Sequence, residues 1–159
     1  MKKLFLCIMG DGDSGKSTTW YALFGKRVQT SRRHRGLELF RGVWADVFLI
    51  NGSPEETRTP LAKRLADVEC RVVLCSVQYG EAGKPSFEYV FNEGYEVVVY
   101  WLNPGYHSAN AKDPDTAGMV EWLKERGARV EEMSGKGNLT ERVQTIKTEV
   151  KNWLFEHAQ

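Results

Sequence analysis

Apolar runs alternate with segments of helical periodicity along most of the chain. Runs of four or more apolar residues predict strands, and the two at 4–9 and 71–77 are apolar enough to be buried on both faces. Apolar residues spaced three or four apart predict helices packed on a sheet. The other predicted strands are 96–102 and 128–133, and the predicted helices are 16–24, 61–68, a short one ending near 91, 116–126 and 139–155.

Two further apolar runs, 37–40 and 46–50, are joined by the short connection 41–44, a spacing that suits a β-hairpin. Residues 29–36 are polar and basic without periodicity, and predict a loop. Strands that alternate with helices imply a mainly parallel sheet covered on both faces. The predicted fold is therefore a three-layer α/β/α fold with one antiparallel hairpin strand. We see no linker, and expect one nucleotide-binding domain over residues 1–159.

A glycine-rich motif lies between the first predicted strand and the first predicted helix. Residues 10–17 read Gly-Asp-Gly-Asp-Ser-Gly-Lys-Ser and fit the P-loop pattern G-x-x-x-x-G-K-[ST]. Glycines let backbone N–H groups face a phosphate, and a helix start adds unpaired N–H groups and a positive dipole end. Lys16 supplies a mobile charge for the β- and γ-phosphates, and the Ser17 hydroxyl is a ligand for Mg²⁺. The predicted nucleotide-binding residues are Gly10, Asp11, Gly12, Asp13, Ser14, Gly15, Lys16, Ser17 and Thr18.

Composition and charge restrict the partners. The formal net charge is +1, so no global field attracts nucleic acid or an anionic membrane, and no apolar stretch approaches the length of a bilayer span. The three cysteines show no pairing pattern and indicate a reducing, cytoplasmic compartment. No Cys/His spacing indicates a zinc site. We expect neither a membrane nor a nucleic-acid partner.

The stretch 10–28 resembles the opening of small Ras- and Era-type GTPases, which often start G-D-G and continue into a helix ending A-L-x-G-x-x-V. The hairpin and the number of later strands match the element order of that family. Residues 134–136, Ser-Gly-Lys, are similar to its S-A-K loop, which contacts the guanine base. The resemblance implies a P-loop fold that binds a nucleoside triphosphate with Mg²⁺.

Two GTPase motifs are replaced. Where the family has D-x-x-G, residues 51–54 read Asn-Gly-Ser-Pro, so Asn51 supplies no charge and Pro54 no N–H. Where it has N-K-x-D, residues 103–106 read Asn-Pro-Gly-Tyr, without the carboxylate that binds guanine. ATP is therefore at least as good a candidate as GTP, and Tyr106 or Trp101 could stack on the base.

Small P-loop kinases are a second resemblance. Residues 48–58 are similar to a strand of that family ending in D-G-x-P-R, and the resemblance implies that Arg58 contacts substrate. Arg32, Arg33 and Arg35 would help to hold an anionic acceptor, since phosphoryl transfer depends on positioning and charge neutralisation. Glu55 and Glu56 follow the hairpin strand and are candidates for activating a nucleophile. The predicted catalytic residues are Lys16, Glu55 and Arg58.

Three functions remain open on this basis. The first is a slow NTPase or nucleotide switch, and the second is a kinase that phosphorylates a nucleotide, a nucleic-acid end or a metabolite. The third is a nucleotide-binding module without turnover, in which the nucleotide orders a surface for a protein partner. We favour an NTPase in the broad sense, with ATP or GTP and Mg²⁺ as its ligands.

Overall fold

The computed structural model describes residues 1–12, 14–25 and 32–158, with side chains from residue 34 onward in the last range. The strands are β1 (Leu4–Gly10), β2 (Arg32–Phe40), β3 (Val43–Ile50), β4 (Val72–Gln78), β5 (Glu96–Leu102) and β6 (Arg129–Met133). The helices are α1 (Lys16–Phe24), α2 (Pro54–Thr57), α3 (Leu61–Arg64), α4 (Lys84–Asn92), α5 (Met119–Glu125) and α6 (Leu139–Glu156), with a 3₁₀ turn at Glu81–Gly83.

The six strands form one sheet in the order β2-β3-β4-β1-β5-β6. All neighbouring pairs are parallel except β2 and β3, which form the antiparallel hairpin. The central strand β1 is buried along its whole length, as its unbroken apolar run predicts. The prediction of a mainly parallel sheet with one antiparallel strand is confirmed.

Alternate residues of β1 enter two separate apolar cores, one on each face of the sheet. Leu4, Leu6 and Ile8 pack with residues of α1 and α6, whereas Phe5 and Met9 pack with residues of α3, α4 and α5. Helices therefore cover both faces, and the three-layer α/β/α prediction is confirmed. In the part of the chain that the structure describes, no helix is long and apolar enough to cross a membrane.

Several boundaries differ from the predictions. β2 begins at Arg32, so residues 32–36 are strand rather than loop, while 26–31 lie outside the described residues. An edge strand tolerates polar residues because only one of its sides is paired. β3 begins at Val43, which shortens the predicted connection 41–44 to the two residues 41 and 42.

The predicted helix 61–68 is also shorter, and α2 precedes it unpredicted. The Ser53 hydroxyl accepts the N–H of Glu56 at 3.1 Å, and Pro54 occupies the first helical position, which is a common helix start. Arg58 then adopts a left-handed conformation that ends α2. This short helix places Glu55 and Glu56 beside the end of the sheet that carries the glycine-rich motif.

Candidate nucleotide site

The glycine-rich motif forms a turn between β1 and α1 at the carboxyl end of the parallel strands. Gly15 caps α1 with a φ of 106°, a conformation that side-chain-bearing residues rarely adopt. A Cβ atom on Gly10 would lie 2.4 Å from the Ser14 hydroxyl oxygen, so this position also needs glycine. The turn therefore exposes the first N–H groups of α1 at the end of the sheet, the geometry that suits an anion.

Lys16 points its ammonium group back into this turn. Its Nζ donates to the carbonyl oxygens of Gly10 at 2.9 Å and Asp11 at 2.7 Å, and it lies 3.5 Å from a carboxylate oxygen of Glu56. Burial lowers the pKa of Lys16, while Glu56 acts in the opposite direction. The side chain is only 6% exposed, so its positive charge is held at the turn.

A cavity of about 590 Å³ opens over the turn. Among the described residues, its lining carries three cationic side chains, Lys16, Lys136 and Arg142, against one carboxylate, that of Glu56. This balance favours an anionic ligand. The buried Ser14 hydroxyl, also in the wall, makes no hydrogen bond within the described residues. The described residues that line the cavity are Ser14, Gly15, Lys16, Ser17, Thr18, Asn51, Glu56, Tyr106, His107, Gly135, Lys136, Gly137, Leu139 and Arg142.

Arg142 joins the turn to the loop after β6. Its guanidinium donates to the hydroxyl of Thr19 on α1 at 2.9 Å and to the carbonyl oxygen of Ser134 at 2.7 Å. Burial lowers the pKa of Arg142, but an arginine remains protonated in proteins. The sequence did not single out this residue, since a lone arginine within the helical pattern of α6 reads as a surface position.

The loop 134–137 packs directly on the glycine-rich turn. A Cβ atom on Gly135 would lie 2.6 Å from the Ser14 carbonyl oxygen and 2.8 Å from the Tyr106 nitrogen, so a side chain would force the two loops apart. The Gly135 N–H donates to the Pro104 carbonyl oxygen at 2.7 Å. The amide that corresponds to the middle of an S-A-K loop is therefore already paired within the protein.

Asn103 and the aromatic candidates have distinct surroundings. The Asn103 side chain is buried and holds residue Asp113, donating to its carbonyl oxygen at 2.9 Å and accepting from its N–H at 2.6 Å. Trp101 is 6% exposed and stacks on Tyr79 with ring centres 5.0 Å apart. Tyr106, 59% exposed, lies in the cavity wall. Of the two aromatic candidates, Tyr106 is the one placed to meet a ligand in this cavity.

The structure separates the two predicted glutamates. Glu56 lies in the cavity wall and also accepts from the Gln78 side-chain amide at 2.7 Å. Glu55 turns away, since its carboxylate accepts from the Gln78 N–H at 2.8 Å and from the Ser86 hydroxyl at 3.2 Å. Glu55 and Arg58 share a second cavity of about 300 Å³ near Pro85 and Tyr89, outside the lining of the first.

Most residues of the predicted motif lie in the cavity wall or contact Lys16. Ser14, Gly15, Lys16, Ser17 and Thr18 line the cavity, and Gly10 and Asp11 contact Lys16 through their carbonyl groups. Asp11 and Gly12 are exposed, and Asp13 lies outside the described residues.

The donor set in the wall fits a magnesium ion. Ser17 and Glu56 line the cavity and carry a hydroxyl and a carboxylate, which are oxygen ligands of the kind that Mg²⁺ prefers. Asn51 also belongs to the lining, but its side-chain oxygen is buried. Ser17 was predicted as the ligand. Glu56 would supply the carboxylate oxygen that the replaced D-x-x-G motif lacks.

Comparison with known proteins identifies the fold. No protein-family model and no curated protein sequence matches the chain. Among solved structures, translation elongation factor SelB from Methanococcus maripaludis in complex with the GTP analogue GppNHp is similar, with a TM-score of 0.59 and 13% identity over 97% of this chain. The chain spans 34% of the length of SelB.

Two structures of Era are also similar, one from Aquifex aeolicus bound to GDP and AlF4⁻ and one in complex with MgGDPNP and a segment of 16S ribosomal RNA. They have TM-scores of 0.46 and 0.45, each with 17% identity over 93% of this chain and 57% of Era. The sheet order, the helices on both faces and the likeness to SelB together show that this chain has the three-layer fold of GTPase-like P-loop proteins.

Proposed function

We propose that this protein binds a nucleoside triphosphate with Mg²⁺ over its glycine-rich turn and acts as a slow NTPase or nucleotide-dependent switch. The observation that carries the proposal is the buried Lys16 ammonium, held at the start of α1 in the wall of a cavity with two further cationic side chains. A polyphosphate is the ligand that such a set of N–H groups and charges binds best.

The residues of this chain divide the task between them. The N–H groups at the start of α1 and the Lys16 ammonium hold the β- and γ-phosphates, and Arg142 adds a fixed positive charge at the other wall. Magnesium, when bound by Ser17 and Glu56, would offset the charge of the phosphates. The Glu56 carboxylate lies 3.5 Å from the Lys16 ammonium, and we assign to it the role of orienting a water against the γ-phosphate.

The kinase alternative rests on Arg58, which lies in the second cavity, and on the arginines near the start of β2. Arg35 packs over the Phe24 ring at 5.5 Å. Because the described side chains among them, those of Arg35 and Arg58, lie outside the lining of the nucleotide cavity, hydrolysis is the better supported reaction. Catalytic roles for Glu55 and Arg58 stay predictions, as does a protein partner that responds to the nucleotide.

Replacing Lys16 tests the binding site. We expect Lys16→Ala to lower the affinity for a non-hydrolysable triphosphate at least about tenfold, since a charge-assisted contact is lost. Isothermal titration measures this, with Lys124→Ala as the control because Lys124 is exposed on α5. An unchanged affinity in Lys16→Ala would refute the proposal, provided that circular dichroism shows an intact fold.

Phosphate release distinguishes the three functions. Slow release without an acceptor, abolished by Lys16→Ala, is expected for the NTPase. Triphosphate consumption that requires an added nucleotide, nucleic-acid end or metabolite would favour the kinase instead. Tight binding without loss of the γ-phosphate would favour the third function, a nucleotide-binding module without turnover.

A further inference from the structure

Three side chains with metal-binding atoms meet at the end of the sheet opposite the nucleotide cavity. His34 lies on β2, Asp46 on β3, and Cys70 just before β4. Their candidate ligand atoms, an imidazole nitrogen, a carboxylate oxygen and the Cys70 sulfur, all lie within 4.8 Å of one another. The residues are so far apart in sequence that no Cys/His spacing pattern reveals them, which is why the sequence predicted no zinc site.

The hairpin register explains how they meet. His34 is the partner of Phe48 across the β2–β3 pair, so their side chains point to the same face, and Asp46, two residues before Phe48, shares that face. The His34 ring packs edge-on against Phe48 with ring centres 4.9 Å apart. Cys70 belongs to the apolar core on this face of the sheet, together with Phe48.

These three ligand atoms would need to move only slightly to bind one cation. Zinc–ligand bonds of 2.0–2.3 Å place neighbouring ligand atoms about 3.5 Å apart in a tetrahedron. The His34 nitrogen and the Asp46 carboxylate are already 3.9 Å apart. Their side chains are 53% and 73% exposed, so both can rotate toward a common centre while the buried Cys70 fixes it.

The Cys70 sulfur is oriented by the backbone around it. It lies 3.5 Å from the Asp46 carbonyl oxygen and 3.4 Å from the Val72 carbonyl oxygen, both within the reach of a weak S–H donor. These contacts direct the sulfur toward the segment of β3 that carries Asp46. A thiol held at the boundary between core and surface, beside an exposed imidazole and an exposed carboxylate, is a mixed donor set that zinc uses and magnesium avoids.

We propose that His34, Asp46 and Cys70 bind one zinc-like divalent cation, with water as the fourth ligand. On binding, the sulfur–metal bond forms as the thiol proton leaves to the solvent, and no electron is transferred. The site lies near the amino ends of β3 and β4, whereas the nucleotide lies at the carboxyl ends. A seven-residue strand separates the two edges by about 20 Å. The cation would therefore clamp the hairpin to the parallel sheet, independently of the nucleotide.

Cobalt is the probe, because a thiolate ligand gives Co²⁺ a charge-transfer absorption that oxygen ligands do not. The full chain is titrated with Co²⁺ in excess Mg²⁺, without nucleotide. We expect a thiolate–cobalt band that saturates at one equivalent and is displaced by Zn²⁺. His34→Ala and Asp46→Asn should each weaken Co²⁺ binding at least about tenfold, because even the loss of a residue that only supports a metal ligand costs about that much affinity. Cys70→Ala should abolish the band.

Asp67→Asn is the matched control for Asp46→Asn. Asp67 is exposed and has a φ of 62°, a conformation that asparagine tolerates, so cobalt affinity should not change. The absence of a thiolate–cobalt band, its persistence in Cys70→Ala, or unchanged affinity in His34→Ala would each overturn the proposal. His34 is an exposed side chain, and this last variant is expected to fold even where Cys70→Ala does not.

Discussion

Glu56 occupies an unusual position for a carboxylate, since it faces the lysine that the proposal assigns to the phosphates. Its oxygen lies 3.5 Å from Lys16 Nζ and accepts a hydrogen bond from Gln78. A triphosphate entering the cavity brings negative charge toward this carboxylate, whose repulsion opposes binding unless Mg²⁺ lies between them. Glu56 is therefore expected to weaken binding of the metal-free nucleotide and to tolerate the magnesium complex.

This repulsion is measurable. In EDTA, we expect Glu56→Gln to tighten ATP binding by up to about fivefold, because the side chain is 45% exposed and half-exposed charges interact by only about 0.2–1 kcal/mol. Isothermal titration of both proteins in EDTA checks it. Glu81→Gln is the control. It removes a surface carboxylate that lies outside the cavity lining and forms an ion pair with Lys84 at a distance of 2.8 Å. Weaker binding in Glu56→Gln would contradict this account.

Glu55 differs from its neighbour in its environment. Burial raises the pKa of Glu55, and the nearby Glu56 carboxylate adds to the shift, while hydrogen bonds from the Gln78 N–H and the Ser86 hydroxyl act in the opposite direction. The folded protein thus holds this proton more tightly than the unfolded chain. The resulting stability is present below the unfolded pKa and is lost as the pH rises through the folded pKa.

The Glu55→Gln variant removes the contribution of Glu55 to the pH dependence of stability. Relative to the wild type, the variant should gain stability as the pH rises from about 4.3, the ordinary pKa of glutamate, through the raised pKa of the folded state. Glutamine keeps an oxygen for the Gln78 N–H. Urea denaturation at a series of pH values gives both curves, and free energies of unfolding that run parallel across this range would show that Glu55 does not titrate as described.

Among the elements, α6 contributes most directly to the site after α1. The Asn138 side chain caps it, accepting from the N–H of Thr140 at 2.8 Å and of Glu141 at 3.4 Å. One residue further along, Arg142 joins α1 to the loop 134–137. The first turn of α6 therefore carries both the Asn138 cap of the helix and the Arg142 guanidinium of the cavity wall.

Removing the cap should cost stability. We expect Asn138→Ala to lower the free energy of unfolding by about 1 kcal/mol, the usual loss for an N-cap side chain. Asn152→Ala serves as the control, since Asn152 is exposed inside the same helix and alanine is the better helix former there. Chemical denaturation of the three proteins measures the difference. Equal losses in the two variants would indicate that the cap contributes nothing specific.

The elements also show what the apolar pattern can predict. The bounds of α1 and β5 agree with the prediction because each is marked by strong local signals, Gly25 after α1 and an unbroken apolar run in β5. The start of α5 was predicted three residues too early. The Asp115 carboxylate accepts the N–H groups of Met119 at 2.9 Å and Val120 at 3.1 Å, so the helix begins only after it. A cap formed by a residue four positions away leaves no periodic signal.

At the scale of the whole molecule, the glycine-rich part of the candidate site could be predicted from one contiguous motif, whereas several residues of the opposite wall could not. Residues 10–18 are contiguous, so a sequence motif records them. Arg142, His107 and Gly137 reach the same cavity only through the order of the strands, which brings the loops after β5 and β6 and the start of α6 beside the glycine-rich turn. The cluster of His34, Asp46 and Cys70 likewise depends on strand register, which the sequence does not reveal.

The same topology determines which groups could recognise the base of the proposed nucleotide. A guanine-selective site needs a carboxylate to accept from the base and a backbone N–H to donate to it. In the cavity wall formed by described residues, the carboxylate is that of Glu56, which lies beside Lys16. The Gly135 N–H and the Asn103 side chain are both occupied by protein partners. Of the base-contacting candidates named from the sequence, the exposed Tyr106 ring is placed to stack on a base. Stacking on an aromatic ring hardly distinguishes one base from another.

We therefore expect ATP and GTP to bind with affinities within about tenfold of each other, a difference of about 1.4 kcal/mol. Tyr106→Ala should weaken both by a similar factor, since a base–aromatic stack contributes about 1–3 kcal/mol. Competition titration measures both effects, and inorganic triphosphate is the control, because a ligand without a base should bind equally to both proteins. A preference for GTP of about a hundredfold would mean that the base is held by groups other than those in this wall.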